Sequence, residues 1–290
     1  MDFSGITTAL ITPFAEGKLD KSSFLKLLGF QIQEGITQFA LASTTGENPA
    51  LEDQEIETLC QWLKSFKEEN KLNLKLILAT GSYSTKLAIE KTKKAEDLGA
   101  NGLLVVTPYY NKPPQNGLLL HYEKIAQASS LPIILYNVPS RTACSLELDT
   151  IKQLAQIENI VGIKEATGDI EFLKQIKQAV PKNFLLLSGD DPTCADFFNE
   201  GGQGAISAGA NILAKELIAI FNSDPSERSQ LFNKYKIFLE ELFKETNPIG
   251  LKQALFLAGI ISSKELRLPL LARDNPALEQ ALKKINKTFN

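Results

Sequence analysis

Short apolar runs rich in β-branched residues recur along the chain at intervals typical of alternating strands and helices. Several runs, such as LILA, GLLVV, PIILY and FLLLS, are apolar throughout, which is typical of parallel strands covered on both faces. Amphipathic segments separate them; after the second predicted strand, apolar residues follow helical spacing from Ile56 to Phe66. The pattern predicts eight strands, at residues 5–12, 38–42, 75–79, 102–107, 132–137, 161–165, 184–188 and 204–208.

Eight strand and helix repeats favour an α/β fold, a (β/α)8 TIM barrel. The main competitor is an open doubly wound sheet, but no GxGxxG follows the first strand and no GxxxxGK[ST] phosphate loop occurs. We expect residues 1–222 to form the barrel and to carry the active site. Apolar residues recur at helical spacing again from Leu231 to Phe243, so residues 223–290 are expected to be a C-terminal helical extension packed on the barrel.

The composition excludes several classes of protein. Among 290 residues, 31 are Lys or Arg and 34 are Asp or Glu, so the net charge of −3 argues against a nucleic-acid partner. There is no apolar run of about 20 residues, so no membrane partner is expected. The N-terminal segment lacks the pattern of a signal peptide. Three widely spaced cysteines form neither a CxxC pair nor a disulfide framework, which favours a reducing, cytoplasmic location.

The chain contains a single histidine, His121. One histidine gives little support for a histidine-rich zinc site or a Ser-His-Asp triad. Since His121 lies in the polar helical stretch GLLLHYEKIAQ, we expect a surface or half-buried helix residue.

Candidate chemistry lies where the predicted strands end, because the reactive residues of such barrels follow the carboxyl ends of strands. These positions hold hydroxyl, phenol, carboxylate and cationic side chains in a coherent group. The group comprises Thr44, Thr45 and Glu47 after the second strand, Tyr109 and Tyr110 after the fourth, Tyr136, Asn137 and Arg141 after the fifth, Lys164 at the end of the sixth, and Gly189, Asp190 and Asp191 after the seventh.

Lys164 is the most informative of these residues. Side chains alternate along a strand, so Lys164 shares a face with Gly162 and Ile160, and Glu165 shares the opposite face with Ile163. If the lysine face points into the barrel, removal from water lowers the pKa of the amine, and a neutral lysine can form a Schiff base with a carbonyl. From alternation alone, Lys164 and Glu165 can also be ordinary polar residues at a strand end.

The other candidates have two interpretations each. Tyr136 can move protons during imine formation or simply pack its ring in the core. Arg141 can bind a carboxylate in a bidentate manner or be solvated. Thr44 and Thr45 in STTGE can cradle a carboxylate or form an ordinary turn. SGDD is interpreted as a turn and a helix start capped by Asp191, rather than as a metal site.

Seven segments, taken together and in order, resemble the dihydrodipicolinate synthase branch of the pyruvate-dependent class I aldolases, the family that also contains N-acetylneuraminate lyase. YNVPSRT and GIKEATGD together are specific, whereas GAISAGAN alone is weak. The similarity covers the predicted barrel and extends into the tail at NPIGLK. The segments are GITTALITPF, STTGE, VTPYYNKP, YNVPSRT, GIKEATGD, LLSGDD and GAISAGAN.

The resemblance implies a role for each candidate. Pyruvate would form a Schiff base with Lys164, and the enamine would attack L-aspartate-4-semialdehyde without any metal or organic cofactor. Family members are usually homotetramers built as dimers of dimers, in which one tyrosine crosses to a neighbouring subunit. The implied roles are a proton relay of Tyr136, Thr44 and Tyr110 (the crossing tyrosine), pyruvate binding by Thr45, binding of the second substrate by Arg141, and backbone groups near the site from Gly189 and Ile206.

Two other functions stay open from the sequence. A related lyase for a sugar acid, such as N-acetylneuraminate or 2-keto-3-deoxygluconate, would share the lysine and the tyrosine. The pair Thr44-Thr45 and the position of Arg141 favour the synthase over such a lyase. A catalytically silent binding barrel is the third candidate, but it has no need of Lys164, Tyr136 and their partners.

Many bacterial members of the family are inhibited by L-lysine at an interface site that typically uses histidines, an asparagine and a glutamate. The corresponding positions here are Asp53, Ile56, Tyr83 and Leu87. Since the asparagine and the glutamate are lost, we expect inhibition by lysine to be weak or absent.

Overall fold

The computed structural model describes residues 2–285. Eight parallel strands close into a barrel in the order β1-β10-β9-β8-β7-β6-β5-β4, and a short antiparallel pair, β2 and β3, follows the first strand. The predicted (β/α)8 TIM barrel is therefore confirmed. The strands are β1 (Gly5–Ala9), β2 (Phe14–Ala15), β3 (Lys18–Leu19), β4 (Gln38–Leu41), β5 (Lys75–Ala79), β6 (Gly102–Val106), β7 (Ile133–Asn137), β8 (Ile160–Glu165), β9 (Leu185–Ser188) and β10 (Gly204–Ser207).

Helices follow the barrel strands, and the C-terminal region is helical as predicted. The helices are α1 (Lys21–Gln33), α2 (Asp53–Glu69), α3 (Thr85–Asp97), α4 (Gln115–Ala126), α5 (Pro139–Thr142), α6 (Leu148–Leu154), α7 (Ile170–Ala179), α8 (Cys194–Asn199), α9 (Ala210–Asn222), α10 (Pro225–Leu242), α11 (Ile249–Leu257) and α12 (Pro276–Lys284). No helix within residues 2–285 is long and apolar enough to span a membrane.

All eight predicted strands are present, with small differences at their ends. β7 and β10 are buried at every position, as expected for strands that helices cover on the outside and side chains fill on the inside. The first strand ends at Ala9 rather than at Thr12. Beyond Ala9 the chain stays bonded in another way, because the Ile11 N–H donates to the side-chain oxygen of Asn211 at 3.1 Å rather than to a neighbouring strand.

Local sequence explains where several helices begin and end. The Asp20 carboxylate caps α1 by accepting from the Ser23 N–H at 3.0 Å, and Asp169 caps α7 by accepting from Phe172 N–H at 3.0 Å. Gly99, with φ of 78°, ends the turn after α3 in the left-handed region, as its position predicts.

The SGDD segment is a turn and helix start, but its cap is one residue earlier than expected. A short 3₁₀ turn begins at Asp191, so Asp190 is the capping residue and the assignment of the cap to Asp191 is wrong. The Asp190 carboxylate accepts a hydrogen bond from the Thr193 hydroxyl at 2.7 Å.

The described chain divides into two compact units. The first comprises residues 2–5 and 75–206, in which α3, α4, α6, α7 and α8 pack one against the next around β5 to β9. The second comprises residues 6–74 and 207–285, in which α1 packs on α2 and α9, and α10, α11 and α12 pack on one another. The limit near residue 222 between barrel and extension stays a prediction.

Candidate active site

Lys164 and Tyr136 lie side by side in the first unit. β7 and β8 pair in parallel, and the register places Tyr136 directly opposite Lys164. The Lys164 Nζ lies 4.3 Å from the centroid of the Tyr136 ring, and the two side chains are only 5% and 6% exposed. Alternation along the strand therefore puts the amine against an aromatic wall, away from bulk water.

Gly189 makes room for the lysine side chain. It follows β9, and its N–H donates to the Glu165 carbonyl at 2.7 Å, so the backbone runs close beside β8. A Cβ at Gly189 would lie 2.8 Å from Lys164 Cε and 2.7 Å from Ala166 Cβ, closer than carbon atoms approach. A residue without a side chain is therefore required next to Lys164.

Ile206 is fully buried in β10. β10 pairs with β9, and the register places Ala205 opposite Ser188. Ile206 and Gly189 are the residues that directly follow these two. The first unit therefore brings Lys164, Tyr136 and Gly189 together and places Ile206 on the adjoining strand.

The opposite face of the same two strand ends holds a buried polar pair. The Asn137 side-chain amide donates to Glu165 Oε2 at 2.8 Å, and the Thr167 N–H donates to Glu165 Oε1 at 2.7 Å. Burial raises the pKa of Glu165, and these hydrogen bonds act in the opposite direction. The side-chain oxygen of Asn137, Oδ1, accepts from the Leu146 N–H at 3.0 Å, so Asn137 also holds the chain beyond α5.

Arg141 lies on α5, the four-residue helix directly after the strand that carries Tyr136, and its side chain is exposed. Hydroxyl groups hold this short helix: Thr107 donates to Thr142 Oγ1 at 3.1 Å, and Thr142 donates to the Cys144 carbonyl at 2.8 Å. A cation at this strand end is suited to binding an anionic group.

Tyr110 and Tyr109 follow β6 but differ in their surroundings. Tyr109 packs edge-on against Tyr83, with ring centroids 5.5 Å apart. Tyr110 has φ of 76° and is 92% exposed. Tyr83, which follows β5, is 50% exposed, and Leu87 on α3 is 37% exposed, so the segment between β5 and α3 presents apolar surface as well.

The STTGE loop lies in the second unit, after β4. Thr44 is half-buried, and Thr45 is buried, with its Oγ1 accepting from the Asn247 side-chain amide at 2.9 Å. Glu47 has φ of 56°, in the left-handed region, and its carboxylate lies 2.5 Å from Lys252 Nζ. Asp53 and Ile56, two of the positions considered for lysine binding, lie at the start of α2, exposed and half-buried respectively.

Sequence reasoning named the residues that could react but missed many that support them. Asn137 was among the candidates without a role, and Thr107, Thr142, Asn247 and Lys252 were not predicted. A signal existed for one contact: alternation puts Glu165 on the helix-covered face, where a carboxylate needs hydrogen-bond partners. Since the partners come from loops, the strand pattern could not identify them.

The fold and these residues define an α/β barrel with a buried lysine at the end of its sixth barrel strand, beside a tyrosine on the fifth. The model of the dihydrodipicolinate synthetase family matches residues 2–288. A 4-hydroxy-tetrahydrodipicolinate synthase of Bdellovibrio bacteriovorus is 41% identical, over 98% of each chain.

Solved structures agree with this similarity. The 4-hydroxy-tetrahydrodipicolinate synthase of Methylacidiphilum fumariolicum SolV is 37% identical with a TM-score of 0.94, covering 98% of this chain and 96% of its own. The dihydrodipicolinate synthase of Acinetobacter baumannii, complexed with pyruvate, is 38% identical with a TM-score of 0.93, covering 98% of this chain and 99% of its own. The chain belongs to the dihydrodipicolinate synthetase family.

Proposed function

We propose that this protein is a lyase-type enzyme of the class I aldolase kind, catalysing the reaction of a 4-hydroxy-tetrahydrodipicolinate synthase. Pyruvate and L-aspartate-4-semialdehyde are the substrates, and the product serves lysine and diaminopimelate biosynthesis. The single observation that carries the proposal is the contact between Lys164 and Tyr136, where a buried amine meets a phenol ring at the ends of paired strands. The sugar-acid lyase and the silent barrel are not favoured, because the similar proteins described above are synthases.

Lys164 is proposed to form the covalent intermediate. Its amine attacks the keto carbon of pyruvate, water leaves, and an imine remains. The protonated imine withdraws electrons, so a methyl proton is lost and an enamine forms. The enamine carbon attacks the aldehyde carbon of the second substrate, and the aldehyde oxygen takes a proton. Transimination by the amine of that substrate then releases Lys164 and closes the ring.

Tyr136 is proposed to carry protons in these steps, with Thr44 and Tyr110 as the other members of the relay. A phenol next to the amine can protonate the departing hydroxyl during imine formation and take the proton back later. Support for Tyr136 comes from its contact with Lys164. Support for Thr44 and Tyr110 comes from the resemblance of STTGE and VTPYYNKP to the family segments.

The remaining assignments concern substrate binding. We propose that Thr45 binds the pyruvate carboxylate, that Arg141 binds the carboxylate of L-aspartate-4-semialdehyde, and that Gly189 and Ile206 contribute backbone groups. A guanidinium matches a carboxylate in charge and geometry. The lysine itself supplies the electrophilic activation, so the mechanism requires no metal or organic cofactor.

We propose that the chain acts as a homotetramer, a dimer of dimers, in which Tyr110 serves the site of a neighbouring subunit. The observation in support is the 92% exposure of Tyr110, which gives this relay residue no enclosed environment within its own chain. Exposed aromatic side chains are also typical of protein interfaces.

A cytoplasmic location is proposed as well. Cys60, Cys144 and Cys194 are all buried free thiols. Burial raises the pKa of Cys60 to about 12, so this thiol is unreactive at neutral pH. Buried free thiols without a disulfide framework are typical of a reducing compartment.

Trapping of the imine tests the proposed function. The protein is incubated with pyruvate, reduced with borohydride and weighed, and wild type is expected to gain about 72 Da on Lys164, the mass of one reduced pyruvate imine. Lys164→Ala should gain nothing. Lys152→Ala, which removes an exposed lysine on α6, is the matched control and should react like wild type.

Parallel assays then identify the second substrate. Consumption of L-aspartate-4-semialdehyde with pyruvate, without cleavage of either sugar acid, is expected. An adduct on a different lysine, or none on folded wild type, would refute the mechanism. Circular dichroism of Lys164→Ala verifies that the variant is folded.

A further inference from the structure

A buried ion pair joins the STTGE loop to the C-terminal helices within the second unit. Glu47 Oε1 lies 2.5 Å from Lys252 Nζ, and the side chains are 1% and 0% exposed. Lys252 is on α11, so the contact joins residues that are far apart in the chain. Burying two charges costs free energy, and such a pair is retained only where both charges are well held.

Each member of the pair has further partners. The backbone N–H of Arg267 donates to Glu47 Oε2 at 3.0 Å. Lys252 Nζ donates to the backbone carbonyl of Glu265 at 2.7 Å. Lys252 Nζ and Arg267 Cζ each lie 4.3 Å from the centroid of the Phe14 ring. Both carboxylate oxygens of Glu47 and the lysine amine are therefore held by groups of the same unit.

The pair acts on a loop whose backbone is strained. Glu47 has φ of 56°, a left-handed conformation that is strained for a residue with a side chain and persists where the surroundings impose it. Gly46 N–H donates to the Ser43 carbonyl at 3.0 Å, and Glu47 N–H donates to the Thr44 carbonyl at 3.1 Å. The tight turn that contains Thr44 and Thr45 therefore ends at Glu47, the residue paired with Lys252.

The same C-terminal segment contacts the loop a second time. Asn247 directly precedes Pro248, the residue at the N-terminal cap of α11. The Asn247 side-chain amide donates to Thr45 Oγ1 at 2.9 Å. This bond occupies a lone pair of the Thr45 oxygen, so the hydroxyl proton is directed elsewhere and can be donated to an anion. Accepting one hydrogen bond also polarises a hydroxyl as a donor.

We propose that Glu47 and Lys252 are positioning residues for pyruvate binding: their ion pair keeps the STTGE loop in the conformation in which Thr45 donates to the pyruvate carboxylate. The inference rests on the proposed function, since it concerns the substrate assigned to that site. Burial lowers the pKa of Lys252 to about 8, and Glu47 acts in the opposite direction, so the lysine is mostly charged at neutral pH.

Two single variants and their combination separate positioning from stability. Lys252→Met leaves a buried carboxylate without its partner, so a large loss of stability is expected. The double variant Glu47→Gln with Lys252→Met removes both charges and is expected to regain most of the lost stability. If the pair positions the loop, the double variant should still show a KM for pyruvate raised roughly tenfold or more, with kcat changed much less.

Conservative and control variants complete the experiment. Lys252→Arg keeps the charge and is expected to recover part of the affinity for pyruvate. Lys264→Met breaks the ion pair between Lys264 and Asp274, whose carboxylate side chain is 77% exposed, and should leave KM unchanged. Thermal unfolding of each variant gives the stability against which KM is compared.

The outcomes distinguish this inference from the proposed function. A stable double variant with the wild-type KM for pyruvate would overturn the positioning role while leaving the imine chemistry untouched. A wild-type protein that forms no borohydride-trapped adduct with pyruvate would overturn the proposed function, and the inference with it. A raised KM in the stable double variant, together with partial recovery in Lys252→Arg, supports the inference.

Discussion

At the scale of single residues, Gly189 provides the space that the Lys164 side chain occupies. The glycine backbone runs within hydrogen-bonding distance of β8, and the lysine methylene groups fill the position where a side chain would otherwise stand. Tyr136 covers the amine from the neighbouring strand. The position of the amine is therefore set by Gly189, which has no side chain, and by Tyr136, which has a large one.

Gly189→Ala tests this arrangement. The added methyl group would lie 3.0 Å or less from Lys164 Cγ, Lys164 Cε and Ala166 Cβ, so the lysine chain must move. We expect the rate of adduct formation with pyruvate to fall roughly tenfold or more, because a displaced nucleophile loses its attack geometry. The measurement is the rate of borohydride-trapped adduct formation by mass spectrometry.

Gly117→Ala is the matched control for Gly189→Ala. Gly117 lies on α4, and the nearest atom to its added Cβ would be 3.5 Å away, an ordinary contact distance. This variant should react at the wild-type rate. Wild-type reactivity of a folded Gly189→Ala protein would contradict the role given to the close approach.

At the scale of elements, the hydrophobic pattern predicts what each segment is but not what it touches. The eight strands follow from apolar runs because both faces of a parallel barrel strand are covered. The pattern also put Lys164 and Glu165 on opposite faces, as observed. It could not pair Glu47 with Lys252, because periodicity identifies a buried face without identifying the element packed against it.

Within one helix, α4, the burial of a single residue, His121, was predicted wrongly. The buried residues of α4 recur at helical spacing and include His121, so the prediction of a surface or half-buried residue is wrong. The signal was present in the sequence but was outweighed by the polar residues around it. His121 Nδ1 lies 2.9 Å from Thr85 Oγ1, which joins α4 to α3.

The burial of His121 predicts a specific loss of stability in acid. Burial lowers the pKa of His121 from 6.5 to about 4. Between these values the unfolded chain binds a proton that the folded chain does not, so stability is fully present above pH 6.5 and falls as the pH falls towards 4. From pH 7 to pH 5, this histidine should contribute a loss of roughly 2 kcal/mol in the free energy of unfolding.

Urea unfolding of wild type and His121→Asn at pH 7 and pH 5 measures that contribution. The carboxylates titrate alike in both proteins, so their effect cancels in the difference. The variant is expected to be less stable at pH 7 and to lose less stability on acidification. An equal loss in both proteins would show that His121 does not take part in the transition.

At the scale of the whole molecule, Tyr110 is the candidate relay residue that is almost fully exposed, at 92%. Its exposure contrasts with the burial of Lys164 and Tyr136. A net charge of −3 also leaves recognition of anionic substrates to local cations such as Arg141, rather than to the overall charge. If Tyr110 serves a neighbouring subunit, a folded single chain is catalytically incomplete.

Mixed assemblies of two inactive variants test whether Tyr110 acts across subunits. In a dimer of Lys164→Ala with Tyr110→Phe, the subunit that keeps Lys164 would receive an intact Tyr110 from its partner, which restores one of two sites. Half of the dimers are mixed after equal co-expression, so about a quarter of wild-type activity should return. If Tyr110 acts within its own chain, no site is complete and activity stays at the sum of the separate variants.

The control pairs Lys164→Ala with Tyr136→Phe. Lys164 and Tyr136 contact each other within one chain, so no mixed dimer of these variants has a complete site and no recovery is expected. Because both pairs share Lys164→Ala, recovery in the Tyr110 pair alone cannot arise from a general effect of assembly. Sedimentation of the wild-type protein as a fully active monomer would contradict the crossing role directly, since a monomer has no neighbour to supply the tyrosine.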